Sequence, residues 1–377
     1  MHDFSLLIRS WYRQNGRSLP WRETTNPYLI WLSEVILQQT RVDQGQSYYE
    51  KFVKHYPTVQ DLAEASEEEV LNDWQGLGYY SRARNLHFAA HQIVDDFNGE
   101  FPDTYKEIKS LKGVGDYTAA AVASFAFNLP YAVVDGNVYR VLSRYFADAT
   151  PIDAAHGKKL FAAYAQELLP KEEPASFNQA IMELGALVCR PKSPDCNNCP
   201  VQQNCSAYRE GQVHAYPVKA KRTKVEVRYF HYFIASDHEV QIEKRNAKGI
   251  WQNMYQFPLL ELKDQLSESA LRKYISQNFE VELVDRIAEY KHILSHRKIY
   301  ATFWRVDKKV TTQDNYTTIA IEKIDDYPLH RLIHRFLEDN NTCSLERIHQ
   351  YCVRREVFIR IILSYICCMA GSINKVI

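Results

Sequence analysis

The chain has 377 residues, which at about 150 residues per domain suggests two or three domains. Hydrophobic residues make up 46% and charged residues 24%. That is ordinary globular composition, and it excludes a collagen, a disordered tail protein and a bare coiled coil. Lys+Arg and Asp+Glu number 46 each, so a polyanion partner would have to be held by local basic patches, not by the global field. In chain order, Met1 to Ser10 lacks the basic start and apolar core of a signal peptide. Trp31 to Tyr56 carries Leu, Val, Ile and aromatics at helical spacing and predicts one long helix ending before Pro57. Ser66 followed by Glu69 predicts a capping box. Ser81 to Phe97 reads as an amphipathic helix. Asp103 is expected to cap a helix running through Leu111. Thr118 to Phe127 is small and apolar, as a buried helix would be, and Asp135-Gly136-Asn137 opens a helix through Tyr145. Residues 1–205 therefore predict an all-α body.

The character changes after Cys205. Lys219, Lys221, Arg222 and Lys224 make a basic linker. Val225–Ala235 and Glu239–Arg245 alternate like strands, and Tyr290–Val306 holds two further strand candidates. Ala270–Phe279 and Leu329–Leu337 read as helices, giving a second, α+β domain. No stretch reaches the roughly 18 apolar residues of a membrane span; the nearest, Val357 to Ala370, contains Arg360. Residues 341–377 fit neither domain pattern.

Four of the eight cysteines sit at Cys189, Cys196, Cys199 and Cys205; the others are Cys343, Cys352, Cys367 and Cys368. The quartet has one Cys-x2-Cys pair and no histidine in its span. Structural zinc usually shows two matched pairs, or Cys with His. The spacing therefore favours a 4Fe–4S cluster over zinc or four unconnected thiols. A tight quartet in a chain this long also points to a reducing, cytoplasmic compartment. Tying a loop into one rigid surface and carrying electrons both remain open as its role.

Leu111-Lys112-Gly113-Val114-Gly115-Asp116-Tyr117-Thr118 reads as a helix end, a Gly-x-Gly turn and an Ala-rich helix. Backbone amides at Gly113 and Gly115, with the positive end of the next helix, can hold a DNA phosphate without reading sequence. An ordinary helix–helix turn is the plainer alternative; Lys109 and Lys112 favour DNA. Glu34 lies in a strongly apolar helix, where its charged form is disfavoured and its pKa should rise. By itself it could equally be a solvated face residue, and Asp135 by itself an N-cap.

Six segments occur in one order: Leu19-Pro20-Trp21-Arg22, Glu34–Thr40, Gly76-Leu77-Gly78-Tyr79-Tyr80-Ser81-Arg82, the hairpin, Val134-Asp135-Gly136-Asn137-Val138 and the four cysteines. Over roughly residues 5–340 the chain resembles the MutY-type adenine DNA glycosylases of the helix-hairpin-helix superfamily. The resemblance implies a mainly α, two-lobed body at 1–217, with a six-helix barrel lobe at about 25–132. The N-terminus and about 133–217 would form the cluster lobe. A linker at 218–226 and a Nudix-like domain at 227–340 would follow.

The substrate implied is adenine opposite 8-oxoguanine or guanine in double-stranded DNA. The enzyme would be a monomer with no membrane partner, in the cytoplasm and nucleoid-associated. Glu34 would protonate adenine N7, ionised Asp135 would shelter the sugar cation, and Tyr117 and Asn137 would align them. Gln39 and Tyr79 would wedge the duplex, and Trp21, Arg22 and Gln179 would surround the extruded base. Tyr117 stands where endonuclease III-like relatives carry a Schiff-base lysine, which implies a monofunctional glycosylase. Ser295 and His296 match a loop that probes 8-oxoguanine, with Leu294 in place of an aromatic residue. Gly249–Leu260 resembles the approach to a Nudix box without its glutamates, implying recognition without hydrolysis. A pyrimidine glycosylase/lyase and a non-catalytic iron–sulfur DNA-binding protein are the alternatives.

The net charge of residues 1–225 needs local clustering to suit DNA, since 24 Lys+Arg face 26 Asp+Glu. Arg82 and Arg84, Lys109 and Lys112, Arg190 and Lys192, and the linker are the expected patches.

Overall fold

A computed structural model describes residues 2–220, 225–236, 238–294, 296–312 and 315–340. The chain divides into two compact units, Met1–Thr223 and Lys224–Ile377.

The first unit is helical. Its helices are α1 (His2–Asn15), α2 (Pro27–Leu37), α3 (Val42–His55), α4 (Val59–Glu64), α5 (Glu67–Asp73) and α6 (Ser81–Asp96). They continue with α7 (Tyr105–Ser110), α8 (Asp116–Phe127), α9 (Gly136–Phe146), α10 (Ala155–Leu168), α11 (Pro174–Leu187) and α12 (Ser206–Arg209). The single helix expected over 31–56 is two, because Gln39 takes a left-handed φ of 59° that no α-helix tolerates. The expected capping box closes α5 through Ser66 and Glu69. Thr104, not Asp103, caps α7: its side chain accepts the Glu107 amide.

Two packing layers form this unit. Phe4 and Ile8 of α1, Val138, Val141 and Leu142 of α9, Phe161 of α10 and Phe177, Ile181 and Leu184 of α11 make one core. The other side is built on α2, whose residues from Ile30 to Ile36 are all buried, and on the Ala-rich α8. Short alanine side chains let α8 lie close to its neighbours. Gly185 serves the same end on α11, since a Cβ there would stand 2.5 Å from Asn137 Cβ.

The second unit contains β1 (Glu226–Ile234), β2 (Glu239–Lys244), β3 (Tyr255–Gln256), β4 (Leu259–Leu262), α13 (Glu268–Phe279), β5 (Leu283–Ile293), β6 (Arg297–Val306), β7 (Thr317–Ala320) and α14 (Arg331–Asp339). One sheet runs β4-β1-β6-β5, with β1 and β6 parallel and the other neighbours antiparallel; a second runs β3-β2-β7. The pleat sends alternate side chains to opposite faces. Trp304 and Phe233 therefore meet Leu271 and Phe279 of α13, while Phe303 stacks 4.0 Å from Phe336 of α14. The short strands β3, β4 and β7 gave no readable alternation. No helix among the described residues is long and apolar enough to cross a membrane.

Candidate active site

The site is built from residues of α2, the start of α8 and the head of α9 in the first unit. Asp135 is the N-cap of α9: its Oδ1 accepts the Val138 amide at 2.8 Å. Its Oδ2 accepts Asn137 Nδ2 at 2.7 Å. Both bonds favour the ionised form, against burial, which pushes the carboxyl above its usual range. Opposite it, Glu34 is carried by α2 and is only 7% exposed. Burial raises its pKa from 4.5 to about 7, with the Asp135 charge adding to the rise. The Tyr117 hydroxyl donates to Glu34 Oε2 at 2.6 Å and, with Arg22, opposes that rise. The Tyr117 phenol itself is pushed far above its usual value, so it remains a donor.

These groups line one pocket. Glu34, Tyr117, Asp135, Asn137, Trp21, Arg22 and Gln179 all lie in its wall. One carboxyl pushed up to about 7 by burial and one accepting two hydrogen bonds form a pair whose environments can divide acid and stabiliser roles.

The sequence reading missed Glu183, in the pocket wall, and Arg140, outside its lining. Glu183 accepts Arg17 Nε at 2.7 Å, Arg17 Nη2 at 2.8 Å, the Arg17 amide at 3.0 Å and Arg22 Nη2 at 2.8 Å. It lies one helical turn beyond Gln179 on α11, so the i,i+4 rule applied to Gln179 would have found it. Arg140 Nη2 donates to Asn137 Oδ1 at 2.7 Å, and its Nε donates to the Cys189 carbonyl at 2.7 Å. A hydrogen-bonded path thus joins Asp135 to the cysteine loop. Arg140 is three residues after Asn137, on the same helix face.

Gln39 and Tyr79 lie outside this pocket. Both are exposed, Tyr79 to 51%, and both have left-handed φ, 59° and 48°. Arg82 holds the two turns together. Its guanidinium donates to the carbonyls of Val35, Ile36 and Gln38 at the end of α2, and to Gly78 O at 3.2 Å. It also covers the Trp74 ring at 5.0 Å from the centroid. The expectation that Arg82 contributes to a phosphate patch is corrected: it is 9% exposed, and burial lowers its pKa to about 10.

In the hairpin between α7 and α8, Gly113 has φ 78° and would bring a Cβ to 2.7 Å from Asn85 Cβ. Gly115 caps α8, and a Cβ there would meet nothing within 4 Å. The backbone at Gly115 is open to an approaching anion. Lys109 is not free for that anion alone, since it pairs with Asp116.

Cys189, Cys196, Cys199 and Cys205 share one lining with Val141, Leu184 and Val201. No three His, Cys, Asp or Glu side chains among the described residues converge closely enough for a single ion. Burial drives the Cys199 thiol up to about 12. Arg144 braces the wall, donating to Cys189 Sγ at 3.2 Å and to Arg190 O at 2.8 Å. The residues fit a 4Fe–4S cluster.

In the second unit, Leu294 and His296 stand at the tip of the β5–β6 hairpin, where the Leu294 amide donates to Arg297 O at 2.8 Å. His296 is exposed. Ser295, residues 221–224 and residues 341–377 lie outside the described residues.

A helical body with a hairpin and a paired-carboxyl pocket defines a DNA base-excision fold. Residues 32–171 match the HhH-GPD superfamily of base excision DNA repair proteins, and residues 229–339 match a NUDIX domain. A thermostable thymine-DNA glycosylase of known structure aligns with a TM-score of 0.52 and 32% identity, covering 55% of this chain and 95% of that one. The adenine DNA glycosylase of Buchnera aphidicola subsp. Baizongia pistaciae is 34% identical over 319 residues, 83% of this chain and 88% of that protein. The adenine DNA glycosylase of Rattus norvegicus is 47% identical over 223 residues, 56% of this chain and 43% of that protein. The chain belongs to the adenine DNA glycosylase family, base-excision-repair enzymes that hydrolyse N-glycosyl bonds.

Proposed function

We propose that this enzyme is a monofunctional glycosylase that removes adenine from its mispair with 8-oxoguanine or guanine in double-stranded DNA. The observation that carries the reading is the 2.6 Å Tyr117–Glu34 bond in a pocket shared with Asp135. With a pKa near 7, Glu34 holds a proton near neutral pH and gives it to adenine N7, making the purine a neutral leaving group. The glycosidic bond breaks, its electron pair leaving with the base, and the sugar takes on oxocarbenium character. Asp135, anionic, stabilises that cation, and Asn137 fixes the Asp135 carboxylate. Water then completes the hydrolysis. Tyrosine at 117 has no amine with which to form an imine, so the strand stays intact.

Gln39 and Tyr79 fill the space that the base leaves, while Trp21, Arg22 and Gln179 receive it. Gly113 and Gly115 hold a backbone phosphate. Ser295 and His296 of the second unit read the opposite base. Cys189, Cys196, Cys199 and Cys205 hold a 4Fe–4S cluster, whose chemistry here is to fix the loop that supports Arg140. The enzyme works as a monomer in the cytoplasm, at the nucleoid.

The test is base release from duplexes with adenine opposite 8-oxoguanine, guanine and thymine, run alongside borohydride trapping on abasic DNA. Release that ranks 8-oxoguanine and guanine above thymine, without trapping, supports the proposal. Efficient trapping overturns monofunctional chemistry, and equal release from all three overturns the mispair assignment.

A further inference from the structure

The adenine pocket contains a third carboxylate that the mechanism above does not use. Glu183 is 1% exposed, yet two arginines converge on it. Arg17 and Arg22 belong to the segment between α1 and α2, and Glu183 to α11, so the contact ties a turn to a helix across the pocket wall. The Arg22 guanidinium also lies 5.6 Å from the Tyr12 ring centroid and donates to Arg17 O at 3.2 Å. Tyr12 in turn donates to Gln179 Oε1 at 2.8 Å. One carboxylate thereby orients the two side chains assigned to the extruded base, Arg22 directly and Gln179 through Tyr12.

We propose that Glu183 is a positioning residue for base excision: it clamps Arg17 and Arg22 in the pocket wall and cancels their charge where Glu34 must keep its proton. The inference rests on Glu34 being the acid. The groups that bear on Glu34 are Tyr117 from α8, Asp135 from the head of α9, and Arg22 from the turn before α2. Only Arg22 among them is cationic, and its charge favours the ionised acid. An ion pair on the far side of that guanidinium lets Arg22 contact a base without discharging Glu34. The two arginines hold the Glu183 carboxyl down at about 2, so it stays anionic wherever the enzyme works.

The experiment is single-turnover adenine release from an adenine·8-oxoguanine duplex with the full-length enzyme, measured over roughly pH 5 to 9. In Glu183→Gln the high-pH limb of the profile should move down by about one unit. That is the scale of unmasking a charge on the order of 10 Å away at an effective dielectric constant of about 20. Release would fall about tenfold above the limb and recover at low pH. Glu183→Asp, which keeps the charge, should leave the limb in place. Arg22→Gln, which removes the cation instead, should move the limb upward, and it keeps the test alive if Glu183→Gln does not fold. A uniform loss at every pH in Glu183→Gln would mean a purely structural clamp and overturn the proposal, as would an unmoved limb in Arg22→Gln. If Glu34→Gln itself retains full release, the acid assignment fails, an outcome separate from either of these.

Discussion

Replacing Glu34 by Gln should abolish most activity and, at high pH, make the protein more stable. The folded-state pKa of about 7 against an ordinary 4.5 means that the native protein keeps a proton the unfolded chain has lost over that interval. Stability from this group is therefore fully present below about pH 4.5 and is lost as pH rises through about 7, at about 1.4 kcal/mol per unit. The accumulated penalty is about 3 kcal/mol. Glutamine has nearly the same shape, carries no charge, and still accepts the Tyr117 hydroxyl. Glu34→Gln should thus match the parent protein near pH 4.5 and exceed it by about 3 kcal/mol near pH 8. Adenine release should fall by about 10²–10⁴-fold, the usual worth of a positioned acid. Urea unfolding followed by far-ultraviolet circular dichroism at several pH values reads the first effect, and single-turnover kinetics the second. A stability difference that stays flat from acid to alkaline pH would falsify the claim that Glu34 is a buried proton carrier.

Tyr117→Phe removes the 2.6 Å bond that favours ionised Glu34, so the high-pH limb of the rate profile should move upward; a downward move would contradict the assignment of that bond. Gly113→Ala should destabilise the protein by about 1–3 kcal/mol, because φ is 78° and Asn85 blocks the new Cβ, whereas Gly115→Ala should leave the melting temperature nearly unchanged. If Gly115 faces a phosphate, Gly115→Ala instead weakens duplex binding in fluorescence anisotropy, equally for every sequence. Arg140→Gln loses the bonds to Asn137 Oδ1 and Cys189 O; each charged hydrogen bond contributes about 1.5–3 kcal/mol. Base release should fall at least tenfold while helical content is retained, and unimpaired release would show that the link is idle.

What the sequence disclosed was whatever is periodic or carried by a rare residue type. The buried α8, the N-cap at Asp135 and the cysteine quartet each have a local signature; the structure has α8 buried and Asp135 capping α9. The break between α2 and α3 was hidden because Gln38-Gln39-Thr40 contains neither Gly nor Pro. The turn at Gln39 is bound by Arg82, more than forty residues away, through carbonyls that no pattern reveals. Arg82 was misread for the same reason: an arginine looks like a surface charge until its hydrogen-bond partners are known. Glu183 escaped because its ion pairs with Arg17 and Arg22 depend on two distant segments meeting, and Arg140 because its bond to the Cys189 carbonyl does. Strands β3, β4 and β7, two to four residues long, are too short for alternation to register.

Tyr117 is the second residue of α8, and Gly115 is the residue that caps it. If the cap seats a strand of DNA, the handle that grips and the finger that steadies the proton donor are parts of one stiff rod less than a helical turn apart. A duplex seated one step out of register would then drag the finger off its mark, so faulty seating and failed chemistry become a single event. The enzyme would need no separate device to withhold its acid from undamaged DNA that slides past.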